Sequence, residues 1–578
     1  MKAPPAGNGF MQHPSIVRHW FTASGALVAL LQPEITAVAV FSSLAAGRLP
    51  LFLDSALHDA LPASTDSAAR AAVDDGTPSP TLPRLGRYSF VASDPIYSLQ
   101  LDATYLRRDA EHVSQAFATL RALLSQVTTQ TIPGLPPFQG GFAGMVSYDC
   151  GLSRLNIDSP PHHTDHAASV PLISLHLYDV VWAFDHDLQR GWIISQGLPA
   201  PAPDFSTQNF SLGPAARRLR ASQRLESLLA QLTPVQMAPI STGAPPRGEM
   251  TGTIQPLAAH PALCSTHSQQ SYLEMVRAGI ELVRAGDIFQ VNLSQRFTVA
   301  HAIAPATLYL QARSTNPAPF ASYFDCGAVQ IVSMSPERLL QVERGTVRMH
   351  PIKGTRRMIA SPEADLYAGN DLEASVKDRA ENVMIVDLVR SDLSRVCTPQ
   401  SVQVTALCRL ERFRYVQHLV SIVTGRLRQG FTAVDVLDAT TPGGSVTGAP
   451  KHRACEIIAA LETVPRGAYC GSLGYIGLDG AADFNLLIRT FVVEGGRIEF
   501  SVGGGITAQS DPAAEYDETL HKAEGLLRVL ESLGLTGPRP QATPVHTTAE
   551  QTAEQTAEQA ATQAAAQAAA QSIAPVAS

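Results

Sequence analysis

The stretch NLLIRTFVVEGGRIEFSVG, residues 485–503, constrains the fold more than any other part of the chain. Two runs rich in Val, Ile, Phe and Thr flank Gly495 and Gly496. A Gly-Gly pair between such runs is a hairpin signal, because the tight turn needs positive φ at its two central residues. A hairpin makes its strands antiparallel. Other strand-like runs are LISLHLYDVVWAFD, VQIVSM, LLQVERGTVRMHPI and GSLGYIGL. Helical patterns lie between them: SYLEMVRAGIELVRAGD, DRAENVMIVDLVRSDLSRV, PKHRACEIIAALE and DPAAEYDETLHKAEGLLRVLESLG. Hairpins among helices, without βαβ alternation, predict an α+β protein with antiparallel sheets.

Composition narrows the function classes. The chain has 578 residues, 45% hydrophobic and 16% charged, which reads as soluble and globular. Lys+Arg 43 against Asp+Glu 51 gives −8, so no basic nucleic-acid footprint is expected. Seven dispersed cysteines without a CxxC pair read as reduced thiols, not as a disulfide framework or zinc site. The opening MKAPPAGNGFMQHP lacks the apolar core of a signal peptide. The apolar stretch ASGALVALLQPEITAVAVF is interrupted by Pro33 and Glu34 and is too short on either side to span a bilayer. These features predict a cytoplasmic protein with no membrane and no nucleic-acid partner. The expected organisation is an N-terminal region 1–233, a linker or surface loop 234–268 and a denser region 269–535. A low-complexity Ala/Gln/Thr-rich tail, 536–578, is expected to be disordered.

Several side chains could carry chemistry. Glu381 lies near a helix start with Asp378, where acidic residues also complement the helix dipole. Glu515, Glu518 and Lys522 share a helix face behind Pro512, a residue suited to the first helical position. Glu518 and Lys522 could form a solvated pair worth about 0.3–0.5 kcal/mol. They could instead supply a carboxylate to a hard cation such as magnesium. TPGGSVTGAPK (441–451) is not a P-loop, because Ala449 and Pro450 separate the last Gly from Lys451. It still reads as a loop feeding a helix. SVGGGITAQSDP (501–512) reads as a glycine loop or tight turn. Glu337 in SPERLL is a surface residue unless buried, where its raised pKa would suit a general acid. His418 lies in an apolar run typical of a core histidine. Lys353 in MHPIKGTRRM is either a turn lysine or a nucleophile.

Taken in order, SPERLL, PIKGTRR, DRAENVMIVDLVRSDLSRV, QHLVS, TPGGSVTGAPKHRACEII, YCGSLGYIG, FNLLIRT, SVGGGI and DPAAEYDETLHKAEGLL closely resemble the chorismate-utilising enzyme family. That family includes anthranilate, aminodeoxychorismate, isochorismate and salicylate synthases. The resemblance is dense over 269–535. It extends more thinly to FLDSA (52–56), GRYSFVASDP (86–95) and FQGGFAGMVSYD (138–149), which resemble the amino-transferring members.

The resemblance implies the chorismate-utilising enzyme fold: two antiparallel β-sheets packed face to face with helices outside. It implies Mg2+ held by Glu381 and Glu518, against the ring carboxylate of chorismate. It assigns Glu337 to protonating a leaving hydroxyl, and Tyr475 and Arg489 to the enolpyruvyl carboxylate. Lys522 and the backbone of Gly503, Gly504 and Gly505 would line the carboxylate and metal end. Ser445 and Thr447 fall in a loop over the ring, and Thr355 is a further substrate contact. His418 matches a histidine associated with pyruvate elimination.

Anthranilate-forming members resemble PIAGTRPRG, with alanine at position 353, whereas aminodeoxychorismate-forming members resemble PIKGT. Lys353 is therefore expected to be a nucleophile, helped toward its neutral form by Arg356 and Arg357. The RRM that follows departs from the family's usual proline-containing sequence. No glutaminase pattern accompanies the cysteines, so ammonia is expected from a separate glutamine amidotransferase subunit in a heterodimer. The expected product is 4-amino-4-deoxychorismate, on the route to 4-aminobenzoate and folate. The alternatives are an anthranilate synthase component I and a catalytically silent glutaminase-binding subunit.

Overall fold

The computed structural model describes residues 13–57, 85–103, 110–160, 170–199, 212–232, 255–257, 260–357, 362–412 and 416–537. The expected tail, from residue 538 onward, and most of 234–268 lie outside the described residues. The hairpin forms as its turn chemistry demands. Thr490–Glu494 pairs antiparallel with Arg497–Ile506, and Gly495 and Gly496 take φ of 53° and 81°. The described residues form two antiparallel sheets, of fourteen and ten strands, together with eleven α-helices.

Both sheets mix the two halves of the chain. In the larger sheet, Leu51–Asp54 pairs with Phe320–Asp325. In the smaller, Gly141–Val146 pairs with Ser472–Gly477. Residues 255–257 and 260–265 are strands that extend the larger sheet beyond Gln290–Ala300. That part of the interval between the halves is therefore sheet edge.

The sheets face each other across a core that includes Phe138, Met145, Phe324, Ile331, Leu473 and Tyr475. Close approach explains Gly144 in this core. Its φ is 145°, and a Cβ there would meet Phe324 Cζ at 2.9 Å and collide with the Ser174 carbonyl. On the outer side of the larger sheet pack helices Ala37–Leu44, Pro305–Thr315 and Pro512–Ser532. Helices Ala110–Val127, Val376–Ser394 and Ala433–Thr440 cover the smaller sheet.

Two helices matter most for the site. Pro512–Ser532 starts at Asp511, whose carboxylate accepts from the Ala514 N–H at 2.9 Å, with Pro512 directly behind the cap. Ala523, Leu526 and Leu530 bury one face of this helix against the sheet. Glu518 and Lys522, at the edge of that same face, meet the strand Arg497–Ile506. Val376–Ser394 starts at Ser375, which accepts from the Asp378 N–H at 3.2 Å. It buries Ile385, Val386, Val389 and Leu393, and Asn382 donates to the Leu419 carbonyl at 3.1 Å. Residues 501–506 are extended strand, not the expected loop, because they are the far end of the hairpin arm. Pro450 is the N-cap of helix Lys451–Leu461, one place before its first turn.

Because both halves contribute to both sheets, far- and near-UV circular dichroism should report one coincident unfolding transition in urea for residues 1–578. Phe324→Ala, which empties the inter-sheet core beside Gly144, should destabilise that transition by about 3–5 kcal/mol.

Candidate active site

Two neighbouring strand connections change sheets at the same place. The chain passes from Gln330–Ser335 in the larger sheet to Arg338–Glu343 in the smaller one through Pro336 and Glu337. It returns from Ala482–Leu486 to Thr490–Glu494 through a segment containing Arg489. The two crossings are tied together by Leu486 N–H to the Glu337 carbonyl at 3.0 Å and Met334 N–H to the Arg489 carbonyl at 3.0 Å. Arg489 has φ of 54°, an unusual value for a non-glycine residue, at the sharp return.

Glu337 is 6% exposed. Ser445, in the turn Gly444–Val446, donates its hydroxyl to Glu337 Oε1 at 2.8 Å. Burial pushes the Glu337 carboxyl up to about 7, against opposition from Ser445, Lys353 and the Ile352 backbone. This carboxyl can therefore hold a proton near neutral pH. Thr447, from the same loop, is fully buried and donates to the Gly443 carbonyl at 3.0 Å, so its hydroxyl braces the loop.

Lys353 lies on Ile352–Arg357, which pairs with Val416–Arg426. Its register shifts between Lys353 and Thr355, where Gly354 takes φ of 77°. Lys353 Nζ stands 3.6 Å from the position a Cβ on Gly505 would occupy. Its charge acts on both Glu337 and Glu518. The expected help from Arg356 is redirected: Arg356 pairs with Asp371 at 2.9 Å and Asp378 at 3.3 Å, which compensate its charge. The side chains of Thr355 and Arg357 lie outside the described residues.

Carboxylates converge on the glycine strand. A Cβ on Gly504 would sit 2.8 Å from Glu515 Oε2 and 3.8 Å from Glu518 Oε1. Glu515 is 4% exposed; Ser510 donates to its Oε1 at 2.7 Å, while Oε2 is buried without a hydrogen-bond partner. Burial and then the neighbouring Glu518 raise the Glu515 pKa, with Ser510 opposing. Burial also works to raise Glu518, but Lys522, Lys377 and Lys353 outweigh it and hold that carboxylate below its usual range. Lys522 pairs with Glu518 at 2.6 Å and donates to the Gly503 carbonyl at 2.9 Å. Glu381 Oε2 lies 3.5 Å from Gln290 Nε2, and a Cβ on Gly505 would collide with that same nitrogen. An all-oxygen set with one orphaned buried carboxylate oxygen suits a hard cation. No group of three or more His, Cys, Asp or Glu side chains is already gathered as a metal cluster among the described residues.

Arg489 donates to the Lys522 carbonyl, and burial lowers its pKa against opposition from Tyr469 and Glu524. His418 is 5% exposed. Burial, aided by Arg489, brings it down to about 4 against a hydrogen bond with the Gly354 backbone. It is neutral at physiological pH.

Tyr475 is not brought to Arg489. It lies between the sheets, stacked on Phe138 at 4.5 Å, and lines a separate cavity of about 140 Å³ with Ser55, Tyr88, Phe320 and Arg338. Tyr469 is the tyrosine that acts on Arg489. The motif YCGSLGYIG offers two tyrosines, and only the direction of the strand Ser472–Gly477 separates them. Gln290 and Glu515 also join the site. Glu515 was signalled by its spacing from Glu518, whereas nothing local marked Gln290, which reaches the glycines from the adjacent strand.

A family model described as chorismate binding enzyme matches residues 81–528. The chain is 34% identical over 446 residues to anthranilate synthase component 1 of Streptomyces coelicolor, covering 77% of this chain and 80% of that protein. It is 36% identical over 431 residues to aminodeoxychorismate synthase component 1 of Klebsiella aerogenes, covering 74% and 86%. The crystal structure of anthranilate synthase component I from Streptococcus pneumoniae TIGR4 matches with a TM-score of 0.61 at 30% identity, over 80% of this chain and 96% of that one. With the family model spanning most of its length, this chain belongs to the chorismate-binding enzymes.

Proposed function

We propose that this protein converts chorismate and ammonia to 4-amino-4-deoxychorismate, as component I of an aminodeoxychorismate synthase. The observation that carries this reading is Lys353, whose Nζ reaches the glycine strand and whose charge bears on both Glu337 and Glu518. A neutral Lys353 amine attacks C2 of chorismate, both ring double bonds shift, and the C4 hydroxyl leaves as water with the Glu337 proton. Ammonia then bonds to C4, both double bonds shift back, the C2–nitrogen bond breaks and the added nitrogen loses a proton. Arg489 suits the enolpyruvyl carboxylate, because a guanidinium fork fits a carboxylate. Glu381 and Glu518, with Glu515 behind them, would hold Mg2+. When bound, that ion neutralises the ring carboxylate. Ammonia comes from a separate glutamine amidotransferase, a partner consistent with the component 1 naming of the relatives.

The relatives also favour a second reading. Identities to anthranilate synthases, such as 37% over 426 residues for the Pseudomonas putida protein, are as high as those to aminodeoxychorismate synthases. On that reading ammonia attacks C2 directly, pyruvate is eliminated, and Lys353 has no covalent role. Incubation with chorismate, ammonium and magnesium, followed by mass spectrometry, separates the two. The expected product is 4-amino-4-deoxychorismate, lost on the order of 10³-fold or more in Lys353→Ala. Anthranilate and pyruvate from the wild type would overturn the reading.

The proton on Glu337 sets the pH dependence. The acid works only when protonated, so kcat/KM should fall as pH rises through about 7. Ser445 hydrogen-bonds the carboxylate and favours its charged form, so Ser445→Ala should move this alkaline limb to higher pH. Glu337→Gln should abolish the limb and cost about 10²–10⁴ in rate.

The metal assignment is tested by Glu381→Gln and Glu518→Gln. Each should raise the magnesium concentration needed for half-maximal activity while leaving the urea transition in place. Unchanged magnesium dependence in both variants counts against these ligands.

A further inference from the structure

The motif TPGGSVTGAPK ends in a lysine that a phosphate loop could not use and that the proposed reaction leaves idle. Lys451 Nζ lies 2.5 Å from Asp392 Oδ2 and donates to the Pro442 carbonyl at 3.0 Å. The two side chains are 11% and 2% exposed. Asp392 also pairs with Arg395 at 2.5 Å on the solvent side. Lys451 thus closes its own loop, from Pro442 to the start of helix Lys451–Leu461, and fastens it to helix Val376–Ser394.

Each end of this fastening leads to the active site. Asp392 and Glu381 are eleven residues apart on one helix. Eleven residues make just over three whole turns, so the two share a face about 16.5 Å apart. Holding Asp392 therefore sets both the rotation and the axial position of Glu381. On the loop side, Ser445 donates to Glu337 at 2.8 Å. Between the two, a Cβ on Gly444 would meet Leu388 Cβ at 3.3 Å, so the loop lies directly on the helix.

A buried ion pair is a weak source of stability, since a well-packed apolar pair of similar size often does as well. Its directional bonds do supply a defined separation, which an apolar contact does not. We infer that Lys451 and Asp392 are positioning residues, whose ion pair keeps the Ser445–Glu337 acid in register with the helix that carries Glu381. The inference rests on the proposed role of Glu337 as the acid.

The test replaces the pair with an apolar one, Lys451→Met with Asp392→Leu. The groups facing Glu337 are Ser445 from the loop, Lys353 and the Ile352 backbone from their strand, and Cys470, which senses its charge. None of these is altered by the double variant. The expected result is a urea transition close to wild type, with kcat/KM down roughly 10- to 100-fold. The alkaline limb should move upward in the same direction as in Ser445→Ala. The Glu337 carboxyl, followed by difference infrared spectroscopy in ligand-free protein, should titrate at correspondingly higher pH. A folded double variant with the wild-type limb, Glu337 titration and kcat/KM overturns the inference. If the double variant does not fold, Lys451→Arg decides. It keeps the charge but changes the reach, and a wild-type limb and titration there overturn the inference equally. Wild-type product analysis tests the proposed reaction by itself. The infrared titration tests the pair even if that reaction is another one.

Discussion

The absence of side chains at Gly503, Gly504 and Gly505 is the constraint on which the site depends. Gly504 admits Glu515 to within 2.8 Å of the position where a Cβ would stand. Gly505 admits Gln290 and leaves Lys353 Nζ a short distance beyond. Gly503 offers its carbonyl to Lys522. Any side chain on these residues would push apart the groups brought by the last helix, the adjacent strand and Lys353. The run is extended strand, so these glycines serve close approach and not unusual φ.

Around this strand the charges are arranged by burial as much as by partner. Glu337 and Glu518 are both glutamates near Lys353, yet they diverge. Glu337 is enclosed at the sheet crossing with one hydroxyl donor, and burial wins. Glu518 has Lys522 in direct contact and two further lysines nearby, and the cations win. One carboxyl is thereby suited to carrying a proton and the other to remaining an anion. This is the division of labour that acid catalysis beside a cation site requires. His418 is likewise kept neutral by its own burial, aided by Arg489.

The crossing of Glu337 and Arg489 between sheets explains why the fold cannot be divided at the middle of the chain. The strands that flank both crossings belong to sheets to which each half contributes. The N-terminal half therefore helps to build the frame behind a site whose side chains come from residue 290 onward. The separate cavity beside Tyr475 lies where that half meets the C-terminal strands.

Much of this was legible locally. The Gly-Gly turn required the hairpin, because two consecutive positive φ values are cheap only for glycine. Asp511 and Pro512 marked the start of the last helix, and the spacing of Glu515, Glu518 and Lys522 put them on one face. The ordered motifs gave the family. What the sequence by itself determined was thus the set of elements, their faces and the residues with chemical potential. Only the tertiary structure decided which of them meet. It preferred Tyr469 to Tyr475 beside Arg489, drew in Gln290, turned Arg356 toward Asp371 and Asp378, and buried Glu337 enough to raise its pKa. Those outcomes depend on distance and solvent exclusion between segments far apart in the chain, and no local pattern encodes either quantity.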